Sequence, residues 1–198
     1  INHIVPQTSS AAEKIIGVAT FGNKVLACRG EKIFSGASTE LALAIGASSS
    51  MTGSGIIKVD SVLGFPTSGN LQIVNEIFTY TGVIVTSTPN EFTGVTRSTS
   101  GTTAALHTIN LTVSSDWTEV DTGRTNAVKY RKERFNYDGN EKIIFVDETN
   151  APVIFNLALS ATDVSESAVA GSKFVSSYKS HMFYAGKSTT PQEVIFSV

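Results

Sequence analysis

A chain of 198 residues has room for one large domain or two small ones, and 41% hydrophobic with 16% charged residues suits a folded protein with a sizeable core. A formal net charge of −2 with no basic tract excludes an electrostatic grip on nucleic acid. The single cysteine, Cys28, excludes an intrachain disulfide and a multi-cysteine metal cluster, and its apolar surroundings predict a small core residue.

Ser, Thr, Gly and Asn are abundant, and short β-branched runs lie between turn residues, which predicts an all-β chain. Near the start, Ser10…Glu13 fits a capping box, but Gly17 limits any helix there to one turn. Strands are predicted at Ile15 to Phe21, Lys24 to Cys28 and Lys32 to Ser35, with turns at Gly22-Asn23 and Arg29-Gly30. Leu41, Leu43 and Ile45 alternate with alanines, which suits a half-buried strand, with helix as the alternative because Ala and Leu favour both.

The texture then changes. Ala47 to Gly55 and Ser114-Ser115-Asp116 read as small-residue linkers, and Gly53-Ser54-Gly55 as a hinge. Between them, alternation at Ile57 and Val59 leads to a loop at Gly64 to Asn70. Strand-like runs follow at Leu71 to Val74, Glu76 to Thr81, Val83 to Thr86 and Glu91 to Thr96, then alternation at Ile109, Leu111 and Val113. Phe78 and Tyr80 share one strand face by period 2, so they pack inward or present a binding surface together, and packing is the favoured reading. Strand-like sequence resumes at Trp117 to Val120, so residues 53–114 are expected to form a small β-barrel or sandwich inserted into a scaffold made of 1–52 and 115–198.

That scaffold repeats itself. Ile33-Phe34-Ser35, Ile154-Phe155-Asn156 and Ile195-Phe196-Ser197 each follow a second strand-like run: Lys24 to Cys28, Lys142 to Val146 and His181 to Ala185. The later two copies start roughly 40 residues apart, the period of a propeller blade. A lone ribbon cannot bury its apolar face, so the copies are expected to stack as propeller-like β-blades. Three units are fewer than the roughly 4–8 blades of a closed propeller, so further units or an open stack is implied. Phe34, Phe145, Phe155, Phe183, Tyr184 and Phe196 fall at repeat positions and should fill the inter-sheet core. Arg131-Lys132-Glu133-Arg134 is read as a solvated strand face. The chain begins without an initiating Met and ends at Ile195 to Val198 in mid-strand, so a processed chain, or a piece of a larger one, is expected.

No motif carries chemistry. Gly186-Lys187-Ser188-Thr189 lacks the upstream Gly of a phosphate loop, since position 181 is His. Asn136 to Asn140 has its Gly misplaced for a calcium loop and fits a tight hairpin turn instead. His3, His107 and His181 have no metal-ligand spacing and are read as structural histidines. Ser114-Ser115-Asp116-Trp117 fails the sialidase blade motif, because Trp follows Asp directly, and there is no serine-hydrolase elbow. Asn110-Leu111-Thr112 matches a glycosylation sequon, a weak pattern. The expectation is of no enzyme, no catalytic, cofactor-binding or metal residue, and no cofactor.

Two stretches resemble known families. Gly64 to Gly69, Glu76 to Gly82, Phe92 to Arg97, and Gly101 to Ala105 with His107 resemble a small β-module of tailed-bacteriophage structural proteins, departing from it at Ser98, where Gly is expected. Phe21 to Leu26, Asp138 to Asp147 and Tyr178 to Gly186 resemble blades of phage tail nozzle proteins, the tail tubular protein B type. The resemblance implies a structural virion protein of the phage tail, a nozzle or tail-tube component. Its copies would form a sixfold ring around the DNA exit channel, beside tail adaptor and tail fibre proteins. DNA would pass without specific binding, and no membrane insertion is implied. The alternative is a receptor-binding, glycan-recognising fibre or baseplate domain, which would need exposed aromatics around Tyr80 and Phe92.

Overall fold

The computed structural model describes residues 14–47 and 50–197. The capping box at Ser10…Glu13 and His3 lie outside the described residues. The chain is all-β, as its composition predicts: 48% of it is strand, in several antiparallel sheets. Among the described residues the only helical turn is a 3-10 turn at Ser167–Val169.

In chain order, β1 (Ile15–Phe21), β2 (Lys24–Arg29) and β3 (Lys32–Gly36) come first. They are followed by β4 (Ser38–Glu40), β5 (Gly55–Val59), β6 (Gly69–Ile73), β7 (Glu76–Tyr80), β8 (Gly82–Ile84), β9 (Asn90–Val95) and β10 (Thr112–Ser115). Next are β11 (Thr118–Asp121), β12 (Arg131–Phe135), β13 (Lys142–Val146), β14 (Val153–Asn156) and β15 (Ala161–Asp163). The last three are β16 (Phe174–Tyr178), β17 (His181–Ala185) and β18 (Val194–Phe196).

The strands group into two compact units, a guest of residues 36–118 and a host made by the flanking segments. Residues 36–52 and 115–118, which the sequence reading assigned to the scaffold, thus fall in the guest. The reason is local packing. Ser115 ends β10, and its hydroxyl accepts the Ala37 N–H at 2.9 Å. The Met51 carbonyl accepts from the Arg97 N–H and the Gly53 N–H donates to Thr96 Oγ1 at 2.9 Å, so residues 51, 53 and 115 are tied into the guest and are not free as in a linker or hinge. Leu41, Leu43 and Ile45 do not alternate as one strand either. Leu41 and Ile45 are buried through isolated bridges to Val59 and His107, while the bend between them leaves Leu43 52% exposed.

The host unit holds three sheets, ordered β1-β2-β3-β11, β12-β13-β14-β15 and β16-β17-β18. The three repeated ribbons are its neighbour pairs β2-β3, β13-β14 and β17-β18. The first and second sheets meet at a core of Phe21, Leu26, Ile33, Ile143, Phe145 and Phe155, with Cys28 also buried in it. The second and third meet at a core of Ile144, Val146, Met182 and Tyr184. Side chains alternate along a strand, so Ile143 and Phe145 point one way and Ile144 and Val146 the other. Both faces of β13 are covered, which is why its sequence is a continuous apolar run. Each buried aromatic or aliphatic side chain contributes about 1.5–3 kcal/mol.

β12 alternates likewise, but with charge. Lys132 Nζ donates to the Val18 carbonyl and Arg134 to that of Thr20, both on β1. Facing the other way, Arg131 donates to the Lys173 carbonyl at 2.9 Å and Glu133 Oε1 accepts from Ser177 N and Oγ at 3.1 and 2.7 Å, in and beside β16. The expected solvated face is therefore a pair of struts, one to each neighbouring sheet. Another correction concerns Phe196, which is 57% exposed, and Phe183, which is half-buried; the other repeat aromatics are buried. Phe183 and Phe196 lie on the face of the third sheet that no other described sheet of the host unit covers.

The guest unit holds two sheets, β4-β10-β6-β7 and β5-β9-β8. Bridges Leu41↔Val59 and Thr79↔Thr96 join them at both borders. One core of Leu41, Ile57, Leu71, Phe78, Tyr80 and Phe92 lies between. Tyr80 and Phe92 make an edge-to-face pair at 4.8 Å, and the Tyr80 hydroxyl donates to the Pro66 carbonyl at 2.9 Å. The predicted run at Ile109, Leu111 and Val113 shortens to β10, because Asn110 adopts φ 63 and turns the chain.

Candidate functional site

The densest polar constellation is a buried hub around Glu76, the first residue of β7. Period 2 puts Glu76 on the same inward face as Phe78 and Tyr80, so its charge must be matched inside the guest core. Arg97 grips it with two hydrogen bonds, Nε to Oε1 and Nη2 to Oε2, each 2.8 Å. His107 Nε2 lies 2.8 Å from Oε2, the Ala105 N–H donates to Oε2 at 3.0 Å, and Ser98 donates to Oε1 through N and Oγ at 3.2 and 3.1 Å. Six donors thus saturate one carboxylate. Arg97 also donates to the carbonyls of Gly46 and Ala105 at 2.7 and 2.8 Å. Phe78 lies under the Arg97 guanidinium at 5.7 Å and edge-on to His107 at 5.8 Å.

Burial pushes the Glu76 carboxyl up, but the hydrogen bonds from Arg97, His107 and Ala105 outweigh it and lower its pKa from 4.5 to about 2. The hydrogen bond to Glu76 in turn raises Arg97. An ionised Glu76 only accepts, so His107 carries its proton on Nε2; Nδ1 is buried without a partner among the described residues. A cavity of about 140 Å³ opens beside the hub, with Val74, Asn75, Thr103 and Leu106 on its walls. The carboxylate has no oxygen left to take a proton from a ligand there. Chemically, the hub is a cross-link that ties β7 to residues 46, 97–98 and 105–107.

A second cluster belongs to the host unit. Arg124 donates to Asp121 at the end of β11, to Asp163 on β15, and to the Ala151 carbonyl at 2.6 Å. It joins the first sheet to the second. Asp147 alongside is used by its own loop, accepting the N–H groups of Thr149 and Asn150 at 3.0 and 2.7 Å.

The motifs weighed in the sequence fall in ordinary turns. Asp138 accepts the Asn140 N–H at 3.1 Å and Lys142 Nζ at 2.7 Å, closing the β12-β13 hairpin. Gly186 has φ 76, and a Cβ there would stand 2.8 Å from the Phe174 ring, so this position needs glycine for the turn and the close approach. Lys187 donates to the Ala168 carbonyl at 2.6 Å. Asp116 accepts Asn70 Nδ2 at 2.5 Å. His181 Nδ1 sits 2.6 Å from the Ser197 carbonyl. Burial pushes the Cys28 thiol far up, so it stays protonated in its core. Among the described residues, no group of three or more His, Cys, Asp or Glu is placed to hold a metal ion, and no helix is long and apolar enough to cross a membrane.

Sequence reasoning placed Glu76 in a strand, read His107 as a structural histidine and met Arg97 in a resemblance, but did not join the three. The available signal was Glu76 itself, an acid at an inward position of an apolar strand. In comparisons with known proteins, no family model, no curated protein and no solved structure matches the chain.

Proposed function

We propose that this chain is an architectural protein of a tailed-phage particle, a nozzle or tail-tube component whose copies ring the channel through which DNA leaves. In this reading the host sheets are propeller-type blades and the guest is a small barrel set into one of their connections. The observation that carries it is the stack itself. Three antiparallel sheets lie in series, the middle one covered on both faces, and β12 braces both neighbours through its side chains. Such a construction transmits force and leaves its polar groups committed to struts.

The guest supports the same reading. The residues on which its resemblance to the phage module rests are the ones that build the Glu76 hub and the Tyr80–Phe92 pair. Ser98, the one departure, sits at φ 57, a conformation that glycine adopts without strain, which accounts for the glycine expected there. Glycan recognition gains no support from Tyr80 and Phe92, which are 2% and 0% exposed.

Electron microscopy of the purified chain tests the proposal. Rings or stacked discs are the expected outcome. Dispersed monomers under all conditions, together with saturable binding to a glycan array, would replace it with the receptor-binding reading.

A further inference from the structure

The cavity beside the Glu76 hub is built from three unusual walls. Its volume of about 140 Å³ is close to the roughly 150 Å³ of an apolar cavity that accepts benzene. Val74 and Leu106 line it and are 54% and 64% exposed, so aliphatic surface at the site is left in water. His107, also on the wall, is 2% exposed. Its Nε2 proton is directed to Glu76, which leaves Nδ1 as a buried acceptor with no partner among the described residues. Such an atom costs stability unless something donates to it. Val74 is the third oddity. Ile73 pairs with Glu76, so Val74-Asn75 is a two-residue turn, and Val74 has φ 55, a region that Gly or Asn enters readily and a β-branched residue avoids. Gln72 Nε2 donates to the Val74 carbonyl at 2.8 Å, and the hub fixes Glu76 on the other side of the turn. Folding alone does not call for valine here; contact with a ligand does.

We propose that this cavity binds a phenol group: a ring of about benzene size against Val74 and Leu106, its hydroxyl donating to His107 Nδ1. The volume sets the size, and the aliphatic walls select an apolar body. The free nitrogen accepts, so the ligand must donate. Glu76 already has its counter-ion in Arg97, so the site favours a neutral ligand over a charged one. A phenol meets all of these conditions, whether it is a free small molecule or the side chain of a tyrosine on another protein. The site belongs to the guest unit and does not depend on the architectural reading of the whole chain.

Phenol and toluene titrated into the whole chain, followed by NMR, decide it. Phenol is expected to saturate one site, moving the Val74 and Leu106 methyl signals and the His107 Nδ1 resonance. It should bind about tenfold more tightly than toluene, which fills the volume but cannot donate. N-acetyltyrosine amide separates the two sources. Binding at the same signals assigns the site to a tyrosine of a partner protein; its exclusion while phenol binds assigns the site to a free small molecule. Val74→Gly relieves the turn and removes part of the wall, so its urea midpoint should be no lower than that of the wild type while phenol binding weakens several-fold. Equal affinities for phenol and toluene with an unmoved Nδ1 resonance, no saturable shift at these residues, or unaltered phenol binding in Val74→Gly would each overturn the site and leave the architectural reading standing.

Discussion

The guest and host units both cover the faces of antiparallel sheets, yet they place charge in opposite ways. The guest wraps two small sheets around one core and sets a complete ionic network inside it, with the Glu76 and Arg97 side chains 1% and 5% exposed. The host builds two successive apolar cores and keeps its charges on β12 and in loops, where Arg124 and Asp147 are also buried. A single carboxylate therefore governs the guest, whereas the host spreads its ionic ties over several sites. Removing one partner of a buried pair leaves the other charge stranded, which is far worse than never having the pair.

The sharpest way to break this contrast is Glu76→Gln. It strands Arg97 in the guest core and should destabilise that unit by about 3–5 kcal/mol. Hydrogen exchange should show protection lost across 36–118 and kept in β13 and β14; uniform loss would mean the units do not differ as described.

Acid probes the same group without mutation. The Glu76 pKa is lowered, so its stabilisation is complete above pH 4.5 and is lost as the pH falls toward 2. The contribution is on the order of 3 kcal/mol. Urea midpoints of the guest should fall through that window in the wild type and lose this dependence in Glu76→Gln. An equal slope in both would remove Glu76 as the cause.

A smaller effect is expected from Arg124→Met in the host, about 2 kcal/mol, because Asp163 is well exposed and rehydrates when its partner goes. Exchange at β11 and β15 reports it. The smallest change sharpens the comparison from the opposite direction. The Tyr130 hydroxyl is buried beside the first host core with no partner among the described residues. Tyr130→Phe should leave stability unchanged or raise it by up to about 1 kcal/mol, read as a shift in the melting midpoint.

Much of the fold could be read from the residues. The ends of β1 and β2 were legible because Gly22 and Gly30 punctuate the apolar runs, with φ 56 and φ 55 in the structure. That Phe78 and Tyr80 share one face followed from period 2, and the structure turns that face inward. What failed were the joints. Ser and Gly stretches read as linkers because small residues carry no pattern, yet Gly55 lies against Met51 and the Val95 carbonyl, where a larger residue would not fit. Phe196 was misplaced because a repeat in sequence predicts a repeated environment only where a following sheet is present to supply it. The hub was illegible for another reason: Glu76, Arg97 and His107 stand 21 and 31 positions apart, and pairing over such spans leaves no periodic trace.

β13 raises a question of alignment that most strands never face. A half-buried strand that slips by one position drives its greasy side chains into water, and the penalty corrects the error. With apolar groups on both sides, β13 would incur no such penalty; only the fit of volumes would distinguish the right pairing from the wrong one. Its neighbour supplies the missing distinction. A one-residue slip of β12 would aim Lys132 and Arg134 at the side chains of β16 and turn Glu133 toward the carbonyls of β1, so the charged strand acts as the ruler against which the featureless one is laid.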